Sequence, residues 1–239
     1  MKKNDTPRYL KARKYLLGRI ARMRPGLNRL EPENAIAAKL GMSRETVRKA
    51  MGSLIEEGCI TRVQGLGNFG HPEVARLPMR IDRNSDFRRL LSAGGGKVES
   101  FCSASRTRAP SEAMLSRMPE AEGSEVVAFE LSYESDSRPA ILASVELLSE
   151  CASEGMPEGK YSGNLKSFLR ESCGYEGCHT ATWLLAERCA RAASLFGLAR
   201  GEPLLAWEEV YYDLRETKLG YVKVWFNAEV VDLSLLLSF

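Results

Sequence analysis

Hydrophobic and polar positions repeat with helical spacing in three stretches near the start of the chain. Along residues 7–23, apolar residues form one stripe and lysine and arginine fill most of the rest. Pro25 and Gly26 break this pattern. A second short helix is predicted from about residue 32 and ends at Gly41, a residue type that favours helix C-termini.

The third stretch completes a recognisable motif. Ser43 can cap a helix start, and the apolar positions of residues 43–55 again recur at helical spacing. Two short amphipathic helices joined by a tight turn containing glycine predict a helix-turn-helix. The segment "CITRVQGLGNFGHP" then offers β-forming residues on either side of Gly65 and Gly67, which predicts a hairpin in the position of a wing.

Beyond this hairpin the pattern becomes mixed. Residues 72–85 contain two prolines and little periodicity, so we interpret them as a linker. The last two strand candidates are separated by the polar "LRETK", which favours an antiparallel hairpin. The predicted helices after the linker are 87–92, 164–172 and 189–197, and the predicted strands are 97–108, 125–134, 140–148, 180–187, 204–213 and 219–227.

Composition favours a soluble globular protein of one or two domains, with 239 residues, 44% hydrophobic and 27% charged. No apolar run approaches the ~20 residues of a membrane span, and the first residues lack the hydrophobic stretch of a signal peptide, so we expect a cytoplasmic protein without membrane partners.

Residues 1–71 hold 15 Lys and Arg against 6 Asp and Glu, a net charge of +9, whereas the remaining 168 residues hold 19 against 25, a net charge of −6. This asymmetry suggests a nucleic-acid-binding unit joined to a unit with another task.

Catalytic and metal chemistry find little support. The six cysteines are expected to be reduced thiols in such a chain. One cluster, Cys173, Cys178 and His179, has soft ligands, but its spacing matches no common zinc pattern. The other histidine, His71, lies in no nucleophile or metal signature. We therefore expect neither an enzyme nor a bound cofactor.

The third predicted helix carries a basic face near its start. A helix in the DNA major groove presents such side chains to base edges, and a guanidinium can bind guanine through two hydrogen bonds. A lysine is better suited to a phosphate, and a glutamate can accept from cytosine. The alternative is an ordinary solvated face of an amphipathic helix, which charge alone does not exclude. The candidate residues are Ser43, Arg44, Glu45, Thr46, Arg48 and Lys49.

"SRETVRKAM" followed by "LIEEGCITRVQGLGNF" resembles the winged helix-turn-helix of GntR-type bacterial transcription regulators. The resemblance extends over about residues 7–71 and implies DNA contacts from the third helix and from a wing tip containing Gln64, Gly65, Gly67 and Asn68. The pattern departs from the family at Asn34, where an arginine is usual, and at Leu66 and Asn68, where a cation and a threonine are usual. Because phosphate neutralisation supplies much of the affinity, these changes should weaken binding or alter its sequence preference.

The second part of the chain resembles the effector-binding UTRA domain of the HutC-like branch, which has a chorismate-lyase-like fold. The matching segments are "VVAFELSYESDSRPA", "GNLKSFL", "LFGLARGEPLL" and "GYVKVWFN". The resemblance implies an effector pocket. Relatives that sense sugar phosphates carry Arg-x-Arg where this chain has Glu130 and Ser132, so we expect a ligand with an amine or hydroxyl rather than a typical sugar phosphate. The candidate effector-binding residues are Ser100, Glu130, Ser132, Asn164, Trp225 and Phe226, and core packing is the alternative for the two aromatics.

Together these patterns predict an α+β protein. Residues 1–71 form a winged helix-turn-helix, 72–85 a linker, and 86–239 a mixed α/β effector-binding and dimerisation domain with an antiparallel sheet. We expect a transcription regulator, most commonly a repressor in this family, that binds a palindromic operator in double-stranded DNA as a homodimer and responds to a small molecule. The alternatives are an enzyme that uses the second domain catalytically and an adaptor whose basic helix meets an acidic protein.

Overall fold

The computed structural model describes residues 7–24, 26–82, 86–93, 95–152, 158–161 and 179–237. The chain divides into two units, Met1–Arg83 with Ser234–Phe239, and Asn84–Leu233. No helix in the described ranges is long and apolar enough to cross a membrane.

The first unit is built on three helices and a hairpin. Helix α1 spans Arg8–Ile20, α2 spans Glu33–Leu40 and α3 spans Arg44–Glu56. Strands β1 (Ile60–Val63) and β2 (Gly67–Gly70) pair antiparallel. The helical stripes predicted from the sequence form the core, which includes Ala12, Leu16, Ile20, Ile36, Val47, Ala50, Met51 and Leu54.

The hairpin is fixed to the helices by the segment before α2. The Leu30 N–H donates to the Asn68 carbonyl (2.8 Å), and the Gly70 N–H donates to the Asn28 carbonyl (2.8 Å). Gly70 also packs directly on α1, because a β-carbon at this position would lie 2.9 Å from Ile20 Cγ1. The wing is therefore attached to the rest of the unit by backbone hydrogen bonds and by the packing of Gly70 on α1.

The predicted linker contains regular structure at its start. Helix α4 spans Pro72–Arg76, where Pro72 occupies the first turn and needs no N–H there. A few residues later, the Ile81 N–H donates to the Ser234 carbonyl (2.9 Å) and the Ser234 N–H to the Met79 carbonyl (3.2 Å). The end of the chain therefore returns to the first unit, a long-range pairing for which local periodicity gives no signal.

The second unit is one antiparallel sheet of eight described strands with three described helices. The predicted antiparallel pairing of the last two long strands is confirmed. The strand order is β7-β3-β5-β6-β10-β9-β8, with β4 beside β5. The helices are α5 (Phe87–Ala93), α6 (Glu112–Arg117) and α7 (Ala190–Phe196), and the strands are β3 (Val98–Cys102), β4 (Arg106–Arg108), β5 (Val126–Ser135), β6 (Arg138–Leu148), β7 (Gly159–Lys160), β8 (His179–Glu187), β9 (Leu204–Tyr212) and β10 (Lys218–Phe226). The sequence patterns missed α6 and β7, and the predicted helix 164–172 lies outside the described residues.

Strand register divides this sheet into two chemically different faces. One face, here called the aromatic face, packs against α5, where the Phe87 ring lies 5.7 Å from Trp207 and 5.4 Å from Tyr133. The other, here called the pocket face, is covered by α6 at one end and α7 at the other. Between these two helices the pocket face carries polar side chains. The sheet would therefore form the base of any binding site there.

Candidate DNA-binding and effector sites

The start of α3 is fixed by its cap. Ser43 Oγ accepts a hydrogen bond from the Thr46 N–H (3.2 Å) and lies 2.8 Å from the Thr46 hydroxyl oxygen. The cap satisfies one free amide of the first turn and thereby fixes the residue at which α3 begins.

Replacing Ser43 with alanine is expected to lower the free energy of unfolding of the first unit by about 1 kcal/mol, because the Thr46 amide loses its acceptor. Far-UV circular dichroism during urea unfolding of the full chain measures this change. Ser43→Asp, which can also cap a helix, should retain most of the stability. Equal losses in the two variants would contradict the capping role.

The basic face of α3 points outward. The Arg44 and Arg48 side chains are 65% and 59% exposed, and the Glu45 carboxylate lies 4.0 Å from the Arg48 guanidinium. The Lys49 ammonium lies 5.8 Å from the centre of the Tyr9 ring. Both guanidinium groups are therefore available to a molecule that approaches the first turns of the helix.

The wing tip depends on glycine. Gly65 and Gly67 have φ angles of 77° and 108°, a region that favours glycine. A β-carbon on Gly67 would also lie 3.3 Å from the Arg29 guanidinium. Gln64 lies between β1 and Gly65, while Asn68 lies on β2 and its Oδ1 accepts from Arg62 Nε (3.0 Å). Arg29 and Arg62 thus bring positive charge to the hairpin beside the predicted contacts.

Sequence reasoning missed the acidic residue that connects the helices to the wing. Glu33, on the first turn of α2, accepts from Arg44 Nε (3.3 Å) and from Arg62 Nη2 (2.9 Å). Its side chain is only 13% exposed, whereas that of Arg62 is 47% exposed. These partners lie 11 and 29 positions further along the chain. The sequence offered only the acidic "EPEN" segment as a signal.

The pocket face holds a cavity of about 280 Å³. At its edge, Glu130 accepts from Arg191 Nη2 (2.9 Å). Arg108 is paired with Glu146 (3.2 Å), whose carboxylate also accepts from the Ser111 N–H and hydroxyl at 2.9 and 2.6 Å. The residues lining the cavity are Ser103, Ala104, Arg106, Arg108, Ala128, Phe129, Glu130 and Ser144.

The other cations of the pocket face are engaged. Arg117 Nε donates to Glu208 (2.7 Å), and the Lys223 ammonium lies 2.7 Å from Glu187 and 3.5 Å from Glu208. Burial raises the pKa of Glu208, but its hydrogen bonds and the charges of Lys223 and Arg117 outweigh burial and hold that pKa below its usual value. Arg106, by contrast, makes no hydrogen bond or ion pair with a described residue and opens onto the cavity.

The structure separates the residues predicted to bind the effector. Glu130, Ser132 and Trp225 lie on the pocket face, since they pair across the sheet with Ser144, Leu142 and Leu142, respectively. Glu130 lines the cavity, while Trp225 packs with α7 and donates from Nε1 to Glu187 (2.5 Å). Asn164 lies outside the described residues.

Ser100 and Phe226 lie on the aromatic face instead. Ser100 Oγ donates to the Tyr161 carbonyl (2.5 Å) and accepts from Arg88 Nη1 (2.8 Å). The Phe226 ring is 1% exposed and lies 4.4 Å from Trp207. This corrects the expectation of one shared pocket, because neighbouring strand residues such as Trp225 and Phe226 point to opposite faces.

The cysteine and histidine cluster that was predicted not to bind a metal lies only partly within the described residues. Cys173 and Cys178 lie outside the described residues, and the His179 ring stacks on Tyr212 with ring centres 4.9 Å apart. In the described ranges, no group of three or more His, Cys, Asp or Glu side chains could hold a metal ion.

Comparisons with known proteins agree with this geometry. The family model "Bacterial regulatory proteins, gntR family" matches residues 13–69. The arabinose metabolism transcriptional repressor of Geobacillus stearothermophilus is 37% identical over 71 residues, which cover 29% of this chain and 19% of that protein. The chain therefore matches only about one fifth of this relative's length.

Solved structures extend the similarity to both units. The possible transcriptional regulator YydK of Bacillus subtilis superposes with a TM-score of 0.69 at 15% identity, over 98% of this chain and 100% of that one. PhnF of Mycobacterium smegmatis gives 0.57 at 18% identity, over 95% and 99%. At such identities these matches show the fold alone. Residues 13–69 form the helix-turn-helix and the wing, so the part of the chain that is similar to gntR-family regulatory proteins lies in the first unit.

Proposed function

We propose that this protein is a GntR-type transcription regulator that binds a palindromic operator as a homodimer in the cytoplasm and represses transcription until a small molecule releases or repositions it. The observation that carries the proposal is the exposed pair Arg44 and Arg48 on the first turns of α3, directly after a capped helix start. Such a helix fits the major groove, where arginine reads guanine through its O6 and N7 atoms.

We infer a homodimer because the DNA-contacting surface of one copy, the start of α3, is small. One helix offers few base contacts, whereas a two-fold dimer doubles them on a palindromic site. The ligand acts by binding better to one spacing of the two reading helices than to the other, because only differential affinity shifts such an equilibrium.

A salt titration of DNA binding tests this function. The full chain is titrated against a labelled duplex from the DNA next to its gene, between 50 and 200 mM salt. Affinity should fall steeply with salt, because arginine and lysine release counterions from phosphates. A folded dimer that binds no duplex at low salt would overturn the proposal and favour an adaptor that meets an acidic protein.

We propose that the effector binds in the cavity of the pocket face. Arg108 is neutralised by Glu146 and Glu130 by Arg191, which leaves Arg106 as a cation without a described partner in the cavity. A single open guanidinium suits one carboxylate better than a doubly charged phosphate, and the hydroxyls of Ser103 and Ser144 suit polar substituents. The ligand is therefore a small acid with amine or hydroxyl groups, not a typical sugar phosphate.

A thermal-shift screen distinguishes these ligand classes. Small hydroxy and amino acids should raise the melting temperature more than hexosamine phosphates, and Arg106→Ala should abolish the response. Arg89→Ala, which removes the same charge from the exposed surface of α5, is the matched control. The largest response coming from a hexosamine phosphate would contradict the assignment, and turnover of a stabilising ligand would favour an enzyme.

A further inference from the structure

Glu33 occupies the point where the three parts of the DNA-binding unit meet. It lies on the first turn of α2, and it receives one hydrogen bond from the first residue of α3 and one from β1. The N-terminal end of a helix is a position that suits a carboxylate such as that of Glu33. The largely buried carboxylate of Glu33 thus connects the helix-turn-helix to its wing.

The two arginines are held in different ways. Arg44 donates to Glu33 through Nε, and no hydrogen bond of its two terminal nitrogens is seen with the described residues. Arg62 is held at both Nε and Nη2, by Asn68 and Glu33, respectively. The terminal nitrogens of Arg44 are the pair that binds guanine O6 and N7, so Glu33 orients this guanidinium without occupying its reading edge.

The charge of Glu33 has a second consequence. A carboxylate beside Arg44 and Arg62 competes with phosphates for both cations, and it repels any phosphate that comes close. Non-specific binding depends on phosphate contacts, whereas a cognate site also offers a base acceptor to the oriented Arg44. Glu33 therefore lowers affinity for random DNA more than affinity for the operator.

We propose that Glu33 is a positioning residue that determines the sequence discrimination of this regulator, an inference that rests on the proposed function. It aligns Arg44 through Nε for base recognition and withholds Arg62 from indiscriminate phosphate contacts. Both roles are supported by the hydrogen bonds that the Glu33 carboxylate accepts from Arg44 Nε (3.3 Å) and from Arg62 Nη2 (2.9 Å).

The test compares wild type with Glu33→Gln, which keeps the size of the side chain and removes its charge. Two duplexes are used, one selected by the wild-type protein from a random library and one of scrambled sequence. Glu33→Gln should bind the scrambled duplex more tightly, with a salt slope steeper by about one to two units as freed arginines contact phosphates. The ratio of the two affinities should fall about tenfold.

The matched control is Glu56→Gln, which removes the same charge from an exposed position of α3. An unchanged ratio in Glu33→Gln, or a change no greater than that in Glu56→Gln, overturns the inference while leaving the proposed function intact. A wild-type chain that binds neither duplex overturns both. If Glu33→Gln folds poorly, Arg62→Gln decides instead. Because Glu33 already withholds Arg62 from phosphates, this variant should leave scrambled-duplex binding nearly unchanged, and a loss as large as that in Lys49→Ala overturns the inference.

Discussion

Replacing Arg44 or Arg48 with alanine is expected to weaken operator binding by about 10- to 100-fold per site, the value of a bidentate contact to a base. Both side chains project from the first turns of α3 and are more than half exposed. Each therefore loses a direct contact and little stability when it is truncated. Loss of discrimination at one base position should accompany the loss of affinity.

Fluorescence anisotropy with the selected duplex and with single-base variants measures both effects. Lys49→Ala provides a contrast, since a phosphate contact should weaken binding to all sequences equally and reduce the salt slope by about one. Arg215→Ala, in the exposed turn between β9 and β10, removes the same charge outside the first unit. Equal effects of Arg215→Ala and Arg44→Ala would show that net charge, rather than the face of α3, governs binding.

The elements of the first unit could be predicted because their signals are local. Ser43, Gly41 and the apolar repeat of α3 each act within a few residues, and the structure confirms the capped helix, the left-handed Gly41 and the buried stripe. The hairpin followed from Gly65 and Gly67 by the same local logic.

The parts that could not be predicted depend on distant pairings. Glu33 gains its role from arginines that are remote in sequence, and the cavity of the pocket face brings Arg106 from β4 beside Glu130 from β5. The face on which a strand residue lies changes with every single position, so matching residues to a family pattern grouped Ser100 and Phe226 with Glu130, although they lie on the opposite face of the sheet.

A second set of distant contacts fixes the far end of α3. The Glu57 carboxylate binds Arg13 of α1 at 2.7 and 2.8 Å, and the Glu57 carbonyl accepts from Arg80 Nη1 at 2.6 Å. Arg80 is 8% exposed and also donates to both carboxylate oxygens of Asp82. Helix α3 is thus anchored at its end by a buried guanidinium from the segment predicted as a linker.

Replacing Arg80 with methionine is expected to destabilise the first unit by about 3 kcal/mol, because it leaves the partly buried Asp82 carboxylate without its partner and the Glu57 carbonyl without this donor. The hydrogen bond from Arg80 holds the pKa of Asp82 below its usual value, against the opposing effect of burial. A carboxyl whose pKa is lowered by folding stabilises the fold above its unfolded pKa, about 3.9. That contribution is lost as the pH falls through the folded pKa, so the difference between wild type and Arg80→Met should be large at pH 7 and shrink below about pH 4.

Hydrogen exchange of α3 amides in the full chain, followed from pH 7 to acid, isolates this effect from the unfolding of the second unit. Asp82→Asn should show the same flattened pH dependence with a smaller loss at pH 7, since an amide can still accept from the buried guanidinium. A loss in Arg80→Met that is equal at pH 7 and in acid would mean that Arg80 acts by packing alone. If the loss follows the titration of Asp82, the ion pair itself anchors α3, and the segment after α4 is a structural part of the first unit rather than a flexible connection.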